Sequence, residues 1–365
     1  MHGLDELLDD PTPLRTALES GRPHLRDAKL KVTSRCNLAC RMCAYWRTTR
    51  EQTLTLAEWQ GVIDALADHG CGKLHVSGGE PFLRPDLLEI LRHGVERGLK
   101  VNLTTNGTLL DRERAQRLVA TGINAVSVSL DGPNAKLHDR VRGQPGAFKR
   151  SLRAIRWIVR ERDRRRAKLK LRINTVLFPD TYRKLPDMVR LAGELGAVDL
   201  VPMPVDGPDG QRLSRRQLER FNAEVAPEAL RLREALGFPC PPERVYPFGT
   251  SARDLAYAKL GNYARGYHER RPCYAPWLHT FVAWNGDVFL CCMTNASSEP
   301  LGNLRRQTLD EVLEGEAYAR VRAGFLAGRM LPHCHRCDLF LGENQRLQAA
   351  LDGAAPRRLV VVEAP

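Results

Sequence analysis

The segment Lys29-Leu-Lys-Val-Thr-Ser-Arg-Cys36-Asn-Leu-Ala-Cys40-Arg-Met-Cys43 decides the fold. A short run alternating basic and apolar residues, the pattern of a strand, leads into a loop with three cysteines spaced CxxxCxxC. Three thiolates this close can wrap one face of an iron–sulfur cluster and leave a coordination position that the protein does not fill. A structural zinc site is usually closed by four ligands, and no fourth Cys or His follows locally. Zinc stays open as the alternative at this point.

Outward from that loop, short apolar runs alternate with amphipathic stretches, as in repeated strand–helix units on a parallel sheet. Strands are predicted at 29–32, 73–76, 100–104, 125–130, 168–177 and 199–203, and helices near 56–68, 85–97, 111–120, 147–162 and 183–195. In the last helix Leu185, Met188, Val189 and Leu195 share one face and Gly196 supplies a stop. Six units fall short of an eight-unit barrel, so the expected α/β fold is a partial (βα)6 TIM-like barrel with a lateral mouth for substrate. A polar helical stretch follows Ser214 to about residue 236, and Pro239, Pro241 and Pro242 mark a break. Beyond it, 280–283 and 288–290 read as a β-hairpin around Asn285-Gly286, the start of a small hairpin-and-helix domain. The tail after Gly353 is expected to be loosely held.

The 365 residues are 43% apolar and 27% charged, an ordinary globular balance for one large and one smaller domain. No apolar run approaches the roughly 20 residues of a membrane span, and the first thirty residues lack a secretory apolar core. A membrane partner is therefore excluded and a cytoplasmic location expected. The 56 basic and 43 acidic residues give a net charge of +13. That excess fits Arg-rich helix surfaces, and equally a site for an anionic substrate or nucleic acid. The densest basic run, 160–170, is mixed with acidic and apolar residues like a solvated helix end, so nucleic acid is not the expected partner.

Ten cysteines without a secretory signal argue for metal rather than disulfides. Eight fall in two groups, the trio already quoted and Cys273, Cys291, Cys292, Cys334 and Cys337. Cysteines at the ends of a hairpin and a Cys334-His-Arg-Cys337 pair converge easily on one tetrahedral site, with a zinc ribbon as the alternative.

Together these features resemble the radical S-adenosylmethionine (SAM) superfamily. Ser77-Gly78-Gly79-Glu80-Pro81 ends the second predicted strand and Thr104-Thr105-Asn106-Gly107 the third. Ser129-Leu130-Asp131-Gly132 ends the fourth, with His138-Asp139 and Arg142-Gly143 downstream. All lie at carboxyl ends of parallel strands, where such folds place their sites. The resemblance covers about residues 28–205. It implies a 4Fe–4S cluster on Cys36, Cys40 and Cys43 whose open iron binds SAM. It also implies contacts from Gly78, Gly79 and Glu80 to the methionine amino group, and cleavage to a 5′-deoxyadenosyl radical that takes hydrogen from an unactivated C–H bond. Asn106, Ser129 and Asp131 carry short polar side chains suited to ribose hydroxyls or the methionine carboxylate, and Arg142 could pair with that carboxylate. Turn formation is the other use of Asn-Gly and Asp-Gly pairs. Met42 stands where the family often has an aromatic residue, a soft apolar substitute, with Tyr45 and Trp46 close by.

The later cysteines resemble the SPASM extension of this superfamily, or its shorter twitch form, in Gly286-x4-Cys291 and Cys334-x2-Cys337. No cysteine follows the last pair, so one auxiliary 4Fe–4S cluster is implied on Cys273, Cys291, Cys334 and Cys337, with Cys292 competing with Cys291. Ligated on all four corners, it would serve as an electron relay or acceptor. The division expected is an extension over 1–27, the radical SAM core over 28–237, a linker over 238–272, the auxiliary-cluster domain over 273–342 and a tail over 343–365. Catalytic candidates are Cys240 and Cys292 as hydrogen-atom donors near the mouth, and Glu80, His138 and Arg172, beside His75 and Asp139. Cys71 reads as a small buried residue.

The function expected is that of an oxidoreductase-type radical SAM enzyme. Its substrate would be a small molecule (a sugar, aminocyclitol or nucleoside-like compound) that is oxidised or epimerised, with electrons from a flavodoxin or ferredoxin. The alternative is maturation of a ribosomal peptide or protein side chain. Peptide maturases often carry a leader-binding domain, whereas fewer than thirty Pro-interrupted polar residues precede the first strand, which tilts the reading to the small molecule. A non-enzymatic metal protein binding nucleic acid would instead show no SAM cleavage and steeply salt-dependent binding; the strand-end motifs argue against it.

Overall fold

The computed structural model describes residues 4–47, 53–295 and 298–353. Six parallel strands form its centre: β1 (Asp27–Lys31), β2 (Lys73–Ser77), β3 (Lys100–Thr105), β4 (Ala125–Ser129), β5 (Lys170–Leu177) and β6 (Asp199–Pro204). Helices return the chain between them, and their starts are written in the sequence. Thr55 and Glu58 form a reciprocal capping box for Leu56–Asp68, and Asp111 caps Arg112–Ala120. The helix Ala135–Arg142, capped by Asn134, follows β4 directly; its polar surface gave too little apolar periodicity to be expected.

Each strand alternates along its length. Leu30, Leu74, Val76, Val101, Leu103, Val126, Val128, Leu171, Ile173 and Leu200 are buried in the main core under the helices. Lys29, His75, Asn102, Thr104, Ser129, Arg172 and Asn174 stand on the other face and are only half-buried. A parallel strand covered on both sides reads as a continuous apolar run. Here the inner face of the partial barrel stays polar and accessible.

The sheet does not stop at β1. β7 (His279–Val282) pairs parallel with it, in register Asp27 to His279 and Lys29 to Phe281. β8 (Asp287–Phe289) and β9 (Gly302–Asn303) then continue antiparallel, giving the strand order β6-β5-β4-β3-β2-β1-β7-β8-β9. The hairpin turn uses Gly286 at φ 89°. The C-terminal unit is thus joined to the barrel by strand pairing as well as by 238–272, which folds into the short helices Pro242–Val245 and Ala252–Lys259.

Two expectations change. The residues before β1 form helices Leu4–Asp9 and Thr12–Ser20, with Leu7 and Leu14 fully buried. The segment assigned to a tail begins with helix Leu341–Leu351, which buries Leu341, Asn344, Leu347 and Ala350; residues 354–365 lie outside the described residues. Among the described residues no helix is long and apolar enough to cross a membrane.

Candidate active site

The chain leaves β1 into the cysteine loop, which docks on the carboxyl ends of β2 and β3. Gly79 N–H donates to the Thr33 carbonyl at 2.8 Å and Glu80 N–H to that of Arg35 at 2.7 Å. A Cβ on Gly79 would stand 2.1 Å from the Arg35 oxygen, and one on Gly78 2.8 Å from that of Thr33. The glycines therefore let two backbones meet, a use beyond the ligand approach expected of them. Glu80 is fully buried. Its carboxylate accepts from the Thr105 hydroxyl at 2.6 Å and from the N–H groups of Asn106 at 2.8 Å and Phe82 at 3.1 Å. Burial pushes its pKa up while these donors hold it down. Its carboxylate braces β2 against β3.

Asn106 is likewise engaged within the protein. Its amide donates to Asn37 Oδ1 at 3.0 Å, and its carbonyl accepts from the Thr108 N–H and hydroxyl at 2.8 and 2.7 Å. Asn37 neighbours Cys36, so Asn106 helps shape the cysteine loop. Asp131 and Arg142 form a buried ion pair at 2.7 Å, and Asp131 also accepts from Val176 N–H at 2.8 Å. Arg142 Nη1 lies 3.7 Å from Cys40 Sγ, which places a cation on a loop sulfur.

Burial pushes the Cys36 thiol to about 11 and raises that of Cys40, where Arg142 pulls the other way. Such thiols stay protonated until a metal supplies positive charge. Met42 packs against Val141, Phe178 and Val205.

The second set forms where the hairpin meets the last helices. Electrostatic coupling joins Cys291 to Cys292, Cys273 and Cys334, and Cys337 to Cys291 and Cys273. Burial pushes Cys273 to about 11 and Cys334 to about 12. Cys292, one residue on, packs with Phe281, Phe289 and Trp284 instead and acts on Lys31 and Tyr45. Consecutive residues at a strand end face opposite ways, so this geometry favours Cys291 for the set of four. Asn344, 2% exposed, donates its Nδ2 to Cys273 Sγ at 3.3 Å while its Oδ1 accepts Tyr274 N–H at 2.8 Å.

Among the described residues no three His, Cys, Asp or Glu side chains converge at the spacing of one ion.

The polar inner face lies beside the first set, with Lys31 in electrostatic reach of Cys43 and Cys36. Lys31 places its Nζ 2.8 Å from the Tyr45 ring centroid. The Tyr45 hydroxyl donates to Asn295 Oδ1, and its ring meets Trp284 edge-on at 6.1 Å. Burial and Lys29 push the Lys31 ammonium down to about 7, against the pull of Cys43, Cys292 and Cys36. His75 bonds Thr104 Oγ1 through Nε2 at 3.0 Å, and burial holds it down to about 3. Arg172 and Ser129 share this face. Lys29, Lys31, Asn102 and Asn174 were not among the residues singled out from the sequence, whereas Tyr45 was noted beside Met42. The signal was present, since polar residues at every second position of a parallel strand mark a face left open to ligand.

Other candidates are displaced. Cys240 is electrostatically coupled to Arg233, Arg244 and Asp199, the first residue of β6, so it sits at the amino ends of the strands, opposite the mouth. His138 accepts Asp131 N–H on Nδ1 at 3.2 Å, and burial and Arg142 hold it down to about 3. Asp139 accepts from Gly146 and Phe148 N–H at 2.6 and 2.7 Å, capping helix Ala147–Arg165. Cys71 is buried, with its sulfur on the carbonyls of Lys73 and Arg26.

The chain matches the radical SAM superfamily over residues 30–192 and the SPASM iron–sulfur cluster-binding domain over 273–338. An AdoMet-dependent heme synthase of Methanosarcina barkeri is 42% identical over 170 residues, 46% of this chain and 47% of the relative. A PqqA peptide cyclase of Bradyrhizobium diazoefficiens is 37% identical over 172 residues, 46% of this chain and 43% of the relative. The chain thus spans about half the length of the curated relatives it matches. Streptococcus suis SuiB bound to its precursor peptide SuiA is similar in fold, with a TM-score of 0.65 at 18% identity, covering 87% of this chain and 72% of that one. SAM and two iron–sulfur clusters are the cofactors that go with the two matched domains. The chain thus carries a radical SAM domain followed by a C-terminal SPASM iron–sulfur cluster-binding domain.

Proposed function

We propose that this enzyme modifies a peptide, holding the SAM-binding cluster on Cys36, Cys40 and Cys43 and the auxiliary cluster on Cys273, Cys291, Cys334 and Cys337. The observation that carries the peptide reading is the 37% identity to PqqA peptide cyclases through the core, on a chain that also bears a SPASM domain. It replaces the small-molecule sugar or aminocyclitol reading, for which the relatives give no support. The chemistry supplied when SAM and a reduced cluster are bound is a 5′-deoxyadenosyl radical able to take hydrogen from carbon.

The chain's own residues set the conditions for it. Glu80, Asn106 and the Asp131–Arg142 pair fix the cysteine loop at the strand ends. Arg142 holds positive charge against Cys40. The inner face receives the substrate, and its walls keep water and stray hydrogen donors away. The auxiliary set stands ready to accept or relay an electron, with a flavodoxin or ferredoxin as the external donor.

The 42% identity to a heme synthase supports a second reading, modification of a tetrapyrrole. The reconstituted enzyme, given SAM and dithionite without air, is offered either a short peptide encoded beside its gene or iron-coproporphyrin III. The peptide reading expects 5′-deoxyadenosine with a mass change in the peptide alone. A mass change in the porphyrin alone would reject it.

A further inference from the structure

The inner face is unusual in how its cations are held. Many basic side chains at the surface are paired, such as Arg164 and Arg165 with Glu161, Arg97 with Asp64 and Asp68, and Arg190 with Asp187 and Glu228. Among the described residues Lys29, Lys31 and Arg172, all on the inner face, form no ion pair. Lys31 is only 8% exposed, and a buried ammonium is costly unless something compensates it. The Tyr45 ring beneath its Nζ offers a cation–π contact but no counter-charge. That ring is itself pinned from the C-terminal unit by Asn295 and Trp284. Lys29 follows two residues deeper on β1, in register with His75 of β2. Neighbouring Ser77, Asn102, Thr104 and Asn174 offer neutral hydrogen-bonding groups on the same face.

We propose that this inner face binds a substrate carboxylate, with Lys31 and Lys29 as its cations and Arg172 presented from β5. The inference rests on the peptide reading above, in which the group recognised is an acidic side chain of the peptide; a tetrapyrrole's carboxylates offer the same chemistry. Bound there, the carboxylate supplies the counter-charge that the fold withholds from Lys31 and places the neighbouring carbons of the substrate beside the first cysteine set.

The test is equilibrium dialysis of the reconstituted, SAM-loaded enzyme at low salt. The probes are an end-capped pentapeptide Gly-Gly-Glu-Gly-Gly, its Gln counterpart, and coproporphyrin III beside its tetramethyl ester. The glutamyl peptide is expected to bind about tenfold tighter than its Gln twin, the scale of one charge-assisted contact. Lys29→Met and Lys31→Met should abolish the difference, and Lys31→Arg should restore it. Binding of coproporphyrin but not its ester, lost in the same variants while neither peptide binds, keeps the carboxylate site and rejects the peptide reading. No preference for the acid in any pair, or one that survives both Met variants, overturns the proposal. So does a fall in SAM affinity or in the first cluster's potential in Lys31→Met, which would make Lys31 the counter-ion of the Cys36–Cys43 sulfurs it also approaches.

Discussion

Asn344 shows how one residue can set the properties of a metal centre from outside the cysteine pattern. Its Oδ1 is fixed by Tyr274 N–H, which leaves its Nδ2 pointing at Cys273 Sγ. A hydrogen bond to a cluster sulfur stabilises the more negative, reduced state. In Asn344→Leu the auxiliary cluster should titrate at a lower potential, followed by electron paramagnetic resonance, with the first cluster unmoved. An unchanged potential would mean that Asn344 serves packing alone. Cys292→Ala makes a complementary prediction: iron content unchanged, whereas Cys291→Ala loses the auxiliary cluster. At this scale the sequence named the cysteines but not their supports. Asn344 and Asn106 are ordinary polar residues until the fold turns them toward sulfur or loop, and nothing local distinguishes them.

At the level of elements, the meeting of the cysteine loop with the ends of β2 and β3 is the constraint most easily broken. Gly79→Ala forces a methyl into the Arg35 carbonyl. It should cost about 3 kcal/mol or more and release the first cluster before the second, read as iron loss on mild heating. Asp139→Ala removes the cap of Ala147–Arg165. It should cost about 1 kcal/mol and lower Tm by a few degrees, with SAM cleavage intact; a lost cleavage rate at preserved Tm would return Asp139 to the catalytic list. The strand–helix alternation made these elements legible, because period-2 and period-3.6 patterns are local. Helix Ala135–Arg142 escaped because its outer face is charged, and the bracing role of the Glu80 carboxylate was hidden because its partners Thr105 and Asn106 lie on another strand end.

Across the whole molecule, one sheet carries both units. β7 extends the barrel edge at β1, while the ion network of Arg26, Asp27, His279 and Glu343 ties β1, β7 and the last helix together at 2.5 to 2.6 Å. The two units should therefore unfold in one cooperative transition in urea, monitored by fluorescence, whereas domains joined by a mere linker would give two. This joint was hidden in the sequence, since a parallel partner some 250 residues away leaves no local trace; only the hairpin itself, with Asn285-Gly286, was visible. The polar inner face was written in plain alternation and was overlooked because buried parallel strands are expected to be apolar throughout.

The central claim is that two separate cysteine sets each hold a cluster, one left open for SAM and one closed. Iron and acid-labile sulfide counted per chain after anaerobic reconstitution test it most directly. About eight of each are predicted for the native chain and about four when Cys36, Cys40 and Cys43 are all replaced by Ala. About four in the native chain, with zinc in the remaining site, would contradict it.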